Sequence, residues 1–261
     1  MLLAIDCGNT HVTFGCMREG AAETVFRIPT DRRETDYGYA AKFRQVLELG
    51  GLDPASLTDA VLSCVVPPLT DVLARACALL TGREPLVVGA GVKTGLHIRI
   101  NDPGTVAPDL VASAVAARET YPLPVIVVDM GTATTLTAVD ADGKYVGGAI
   151  LPGVGISLHA LADETALLPL IEVRPPKTVI GANTVDSMRS GILYGTAGAI
   201  DGLIDRMCAE LGTETVSLVA TGGLASTVCP ACRHKIEIDE QLLLRGLAVI
   251  YARNRGTTAG K

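Results

Sequence analysis

Positive charge is in short supply in this chain. Its 261 residues include 22 lysines and arginines against 28 aspartates and glutamates, for a formal net charge of −6 and a pI near 5.2. No basic run stands out, which argues against nucleic acid and anionic membrane surfaces as main partners. The amino terminus has no cationic region before its apolar run, and Asp6 arrives early, so neither a signal peptide nor a membrane span fits. Seven cysteines, an odd number scattered along the chain, speak against a disulfide framework and for reduced thiols. The expectation is a soluble cytoplasmic protein. Cys229-Pro230-Ala231-Cys232 is a C-x-x-C with His234 close by, but no second ligand pair lies at zinc-finger spacing. A surface loop is expected there, with metal or redox use as the alternatives. Also missing are a low-complexity linker and the G-x-x-x-x-G-K-[ST] phosphate loop.

Hydrophobic residues make up 48% of the chain, enough for a sizeable core in one large domain or two smaller ones. The chain repeats itself. "LLAIDCGNTHVTFGC" (2–16) and "PVIVVDMGTATTLTAVD" (124–140) each run from apolar residues into Asp-x-Gly and then a hydroxyl-rich stretch. Asp6 and Asp129 coincide when the second segment is laid over the first, as do Gly8 and Gly131. Each segment continues through a turn into a third strand-like run, "REGAAETVFRI" in one case and "ADGKYVGGAIL" in the other. Such duplication means two copies of one supersecondary unit. The rest of the first copy reads as a helix over 39–49, a strand at "DAVLSCVV", a helix over 69–80 and a short strand at "EPLVVG". The second has helices near 156–161 and over 184–211, the latter interrupted by small residues. A strand at "TVSLVATGG" and a helix over 241–254 follow. The helix-like "PDLVASAVAARET" carries the crossover. Alternating strands and helices predict an α/β layered architecture, with lobes 1–115 and 116–261.

An Asp-x-Gly turn has a common bland explanation, the end of a strand. Two of them, brought by related lobes to a cleft, suggest phosphate chemistry. Glycine admits close backbone approach, and nearby N–H and hydroxyl groups bind phosphate oxygens. A carboxylate repels phosphate, so it works through a cation, usually magnesium. Thr221-Gly222-Gly223 is a third glycine-rich turn after a strand, suited to the nucleotide's base or ribose.

The order "DCGNT", "DMGTATT", "GGAILPGVGIS", "GANT" and "TGG", with the ending "LLRGLAVIYARNR", resembles the type III pantothenate kinases over nearly the whole chain. That family belongs to the actin/hexokinase-like ATPases, so the resemblance implies two duplicated ribonuclease H-like (actin-like ATPase) lobes with a cleft between them. It implies ATP-dependent phosphorylation of pantothenate, a homodimer, magnesium with ATP, and a monovalent cation such as potassium or ammonium. Residue by residue, Asp6, Gly8, Asn9, Thr10 and Thr13 match the first phosphate loop, with Asp6 on the magnesium–phosphate assembly. Asp129 matches the monovalent-cation ligand, Thr132 an ATP contact, and Thr184 a pantothenate contact; Gly222 and Gly223 complete the nucleotide side. Asp109 falls where the family keeps its catalytic base, a role a carboxylate can fill toward an attacking hydroxyl. Read alone, after Pro108, it is a first-turn or capping acid of a helix.

The acceptor side departs from the family pattern, approximately Tyr-x-Asn-Pro followed by Gly-x-Asp-Arg. Ile100 stands for the tyrosine, Asp102 for the asparagine, Ala107 for the glycine and Leu110 for the arginine, beside Pro108 and Asp109. A leucine cannot pair with a substrate carboxylate. Three readings follow: a pantothenate kinase with acceptor contacts supplied elsewhere, a same-fold kinase for another small hydroxylated acceptor, or a non-catalytic nucleotide- or pantothenate-sensing regulator. The segment after Thr184 is rich in small residues, namely Ser190, Gly191, Gly195, Ala197, Gly198, Ala199 and Gly202. It is either an internal packing face or a subunit interface. The resemblance favours the interface, with Thr184 reaching the partner's acceptor site.

Overall fold

The computed structural model describes residues 1–18, 20–213 and 215–255. In chain order the elements are β1 (Leu2–Cys7), β2 (His11–Arg18), β3 (Ala21–Pro29), α1 (Asp36–Leu49), β4 (Asp59–Cys64), α2 (Pro67–Thr81), β5 (Leu86–Val87), β6 (His97–Ile98) and α3 (Pro108–Thr120). There follow β7 (Val125–Met130), β8 (Ala133–Val139), β9 (Lys144–Pro152), α4 (Val154–Asp163), α5 (Thr184–Leu211), β10 (Ser217–Thr221), α6 (Ala225–Val228), β11 (Glu237–Ile238) and α7 (Leu242–Arg255). Two compact units result. The first takes Met1–Leu96, Asn101–Glu119 and the chain from Gln241 on; the second takes His97–Ile100 and Thr120–Glu240.

The first sheet has the order β3-β2-β1-β4-β5, and the second β11-β10-β7-β8-β9-β6. Reversed, β9-β8-β7-β10-β11 is the first order again, with β6 added at one edge. Both β1 and β7 pair antiparallel with the next strand and parallel with a later one, β4 or β10. A strand flanked on both sides reads as a near-continuous apolar run, as "LLAI" and "VIVV" do. The sequence repeat is therefore a repeat of topology.

One face of the first sheet, through Leu3, Ile5 and Cys7, packs under α1 and α2. Thr35 caps α1 by accepting the Gly38 N–H, and the helix buries Tyr39, Phe43 and Leu47 at four-residue spacing. The Phe14 and Phe43 rings meet at 4.7 Å. The other face is covered by α7, whose Leu244 lies over Gly15. The partition thus differs from a single cut between 115 and 116. The last helix returns to the first unit because Leu242, Leu244, Leu247 and Ile250 bury their apolar stripe there.

In the second unit Ile126, Val128 and Met130 pack against α4 and α5. Helix α5 runs unbroken for 28 residues, contrary to the expected interruptions. Each interior glycine costs a helix about 1 kcal/mol relative to alanine. The buried stripe of Met188, Ile192, Leu193, Ala197, Ile200 and Ile204 outweighs that cost. No helix among the described residues is long and apolar enough to cross a membrane.

Helix α7 approaches α3 so closely that a Cβ on Gly246 would overlap the Ala112 carbonyl oxygen. Backbone cannot yield as a flexible side chain does, so Gly246→Ala should destabilise by roughly 1–3 kcal/mol. Urea unfolding measures it; an unchanged midpoint means that α7 does not pack this tightly.

Candidate active site

Asp6 sits at the end of β1 with Thr13 of β2 opposite on one side and Ser63 of β4 on the other. Directly opposed residues in a sheet point to the same face. The carboxylate therefore lies between two hydroxyls, and the fully buried Ser63 donates its Oγ–H to Asp6 Oδ1 at 2.8 Å. The second unit repeats the row: Asp129 of β7 lies between Thr135 of β8 and the buried Thr221 of β10. Thr135 Oγ1 is buried and makes no hydrogen bond among the described residues.

After Asp6 the chain turns sharply. Gly8 donates its N–H to the His11 carbonyl at 3.0 Å and accepts the Thr30 hydroxyl at 2.7 Å. Asn9 Oδ1 accepts from the Arg32 guanidinium at 3.1 Å, and the Thr10 carbonyl accepts the Thr30 N–H. Asn9 and Thr10 are exposed, with Thr13 half-buried behind them. In the second unit Thr132 is exposed at the corresponding turn. Gly222 follows Thr221 at φ +94°, and its backbone presses so close that an added Cβ would lie 2.6 Å from the Met130 carbonyl. Only glycine fits that position. Gly223, next to it, is exposed.

Asp109 is the second residue of α3, after Pro108. Its Oδ1 accepts the Leu110 N–H at 2.8 Å, which favours the charged form, yet burial dominates and pushes the carboxyl above its usual range. No cation pairs with it among the described residues. Ala107 contributes its carbonyl to the Val111 N–H, and the Leu110 side chain is half-buried. Ile100 belongs to the second unit, beside β6, with its Cγ2 facing Gly147. Thr184 begins α5, exposed behind its cap Asn183, and lines a cavity of about 540 Å³ with Ser187, Leu161, Leu168, Met188 and Ile192.

The C-x-x-C is not the surface loop expected. Cys229 is buried and Cys232 half-buried against α5, in a turn tied down by the buried Asp201, which accepts the Arg233 and His234 N–H groups at 2.8 and 3.1 Å. Burial pushes the two thiols up to about 11 and 12, and His234 bonds Asp205 at 2.7 Å instead of a cysteine. Thiols of that kind are poor ligands and nucleophiles. All seven cysteines are free, and no cluster suited to a metal occurs among the described residues. Ser63 and Thr135 carry no mark in the sequence, and Thr221, expected in a glycine-rich nucleotide turn, stands in addition beside Asp129. Ser63 and Thr221 share a place at the end of each parallel neighbour strand, "LSC" and "VAT".

The family model for type III pantothenate kinase matches residues 2–206. The chain belongs to the type III pantothenate kinase family. A relative named type III pantothenate kinase from Anaeromyxobacter dehalogenans (strain 2CP-C) is 42% identical over 255 residues, 98% of this chain and 100% of its own. Another from Moorella thermoacetica is 44% identical over 255 residues, 97% and 100% of the two chains. Among solved structures, the activator of 2-hydroxyisocaproyl-CoA dehydratase from Clostridium difficile, with bound ADPNP, is similar with a TM-score of 0.59 at 12% identity, over 100% and 98% of the chains. That likeness shows the fold, two α/β units with corresponding strand orders.

The Asp109 shift has a consequence for stability in this family member. A carboxyl raised by burial is best tolerated protonated, so its favourable contribution is full below the ordinary aspartate range and is lost as pH rises through the higher folded value. Asp109→Asn removes that loss. Its melting temperature should exceed wild type at pH 7 and converge with it below about pH 4. A variant less stable than wild type at pH 7 would show that the carboxylate is needed as a cap.

Proposed function

We propose that this chain transfers the γ-phosphoryl group of ATP to the hydroxyl of pantothenate, giving 4′-phosphopantothenate and ADP, the first step toward coenzyme A. The supporting observation is membership in a family whose named members carry this activity, in a chain with a half-buried carboxylate at the family's base position. Asp109 accepts the proton of the acceptor hydroxyl as its oxygen bonds the γ-phosphorus and the bond to the ADP oxygen breaks. Burial raises its proton affinity and so strengthens it as a base. A sensor has no use for such a group.

On the nucleotide side, Asp6 takes the magnesium that accompanies ATP, and the exposed Asn9 and Thr10 with Arg32 face the phosphates. Thr132, Gly222 and Gly223 are the residues of the second unit that match the family's nucleotide contacts. Asp129, with Thr13-like support from Thr135, offers hard oxygens that fit potassium or ammonium; the unpartnered, buried Thr135 Oγ1 favours that fit. Such a cation would screen phosphate charge. Ile100, Ala107, Pro108 and Leu110 stand on the acceptor side with no side-chain donor among them, so the acceptor carboxylate draws its contacts from other residues. The reaction belongs in the cytoplasm, where ATP and potassium are plentiful.

A coupled ADP-release assay with magnesium, potassium and a panel of small hydroxy acids tests this. Pantothenate should drive turnover, which should fall steeply when sodium replaces potassium. Asp109→Asn should retain ATP binding while turnover drops by roughly two to four orders of magnitude. Release driven by another acceptor instead points to a same-fold kinase, and ATP binding without release to a regulator.

We also propose a homodimer built on α5. Gly191, Gly195 and Gly198 have open space where a Cβ would be, so these residues are not an internal packing face in the protomer. Ser190 and Ala197 point inward instead. Leu161, also exposed, lines one cavity with Gly191. In such a dimer Thr184 serves the partner's acceptor. Gly195→Trp should then yield monomers that bind ATP but lose acceptor turnover; light scattering with matched activity decides, and a fully active monomer ends the idea.

A further inference from the structure

We infer that Ser63 is a positioning residue for the metal–nucleotide site, acting through Asp6; the inference rests on the assignment of Asp6 to magnesium. Ser63 is fully buried in β4, in register with Asp6 on the parallel neighbour strand, and its hydroxyl donates to Asp6 Oδ1 at 2.8 Å. A carboxylate at the end of a strand turns about its last single bond, and cation binding must freeze that rotation. The Ser63 hydroxyl freezes it beforehand, which lowers the cost of binding. A serine suits this task because it holds the carboxylate by a dipole and leaves its negative charge intact. A lysine or arginine in the same place would neutralise Asp6 and compete with the cation.

The second unit places a hydroxyl residue at the corresponding position independently. Thr221 stands in β10 in register with Asp129, buried, at the matching place in the sheet. A hydroxyl on the parallel neighbour of each acid, in two units whose strand orders correspond, points to a requirement of the acid and not of the core. Ser63 itself faces away from the apolar cluster of Leu3, Ile5 and Leu62.

The test compares wild type, Ser63→Ala and Ser63→Thr. Calorimetric titration with Mg·ATP, without acceptor, should show about tenfold weaker binding for Ser63→Ala. The magnesium concentration for half-maximal turnover should rise by a similar factor while the KM for pantothenate stays put. Ser63→Thr, which keeps the hydroxyl, should recover most of the affinity, and metal-free melting temperatures should agree within a few degrees. Unchanged Mg·ATP affinity in Ser63→Ala overturns the inference, as does a loss of affinity that tracks a fall in the metal-free melting temperature. Because the titration needs no acceptor, wild type that binds Mg·ATP but ignores pantothenate defeats the proposed function while leaving this comparison decisive.

Discussion

A carboxylate at the end of a strand hydrogen-bonded on both sides must be satisfied where water has little access. Left alone it costs several kcal/mol, and paired with a fixed cation it has nothing left to offer a ligand. Both units set the acid between hydroxyl residues on its two neighbour strands, Thr13 and Ser63 beside Asp6 and Thr135 and Thr221 beside Asp129, and in the first unit Ser63 donates to the carboxylate. Hydroxyls supply dipoles and keep the negative charge available. The arrangement requires one antiparallel and one parallel neighbour in register at the acid, and that fixes the order of the central three strands in each sheet.

The turns follow from the same demand. A strand that ends on an acid must leave the sheet at once, or the next residues would cover the carboxylate. Gly8 makes that exit in the first unit, held by the Thr30 hydroxyl and the His11 carbonyl. In the second, Gly222 lets the end of β10 lie against the backbone of Met130. The helix pairs α1–α2 and α4–α5 occupy the face opposite the acids, while the acids' own face is apolar along the strands, under α7 in the first unit, and turns polar at the strand ends.

The repeat was legible because it is written in features with a local cause: an apolar run, an acid, a glycine and then hydroxyls, at matching positions. The helices were legible from their apolar spacing. What escaped depends on distant partners. Two-residue strands such as β6 and β11 have no period to detect, and α7 has the same amphipathic pattern whichever unit it joins. Continuity in α5 was hidden because its glycines argue locally for a break, while its buried stripe is felt only once the sheet is present. Cys229 and Cys232 read as a loop motif because Asp201, which ties the turn down, lies about a helix away in sequence. A lone serine in an apolar strand, such as Ser63, carries no signal until Asp6 is beside it.

Asp109 shows how environment separates two acids with the same local geometry. Asp36 also stands in the first turn of a helix and also accepts the next residue's N–H, from Tyr37 at 2.9 Å, much as Asp109 accepts from Leu110 at 2.8 Å. Asp36 meets Arg75 at 2.9 Å, which holds its carboxyl below the usual range. Asp109 has no such cation, and burial drives it the other way despite its N–H donor and the favourable end of the helix dipole. A capping acid needs only the first environment. The second leaves a carboxyl with raised affinity for a proton, the property that the proposed role of Asp109 as proton acceptor draws on.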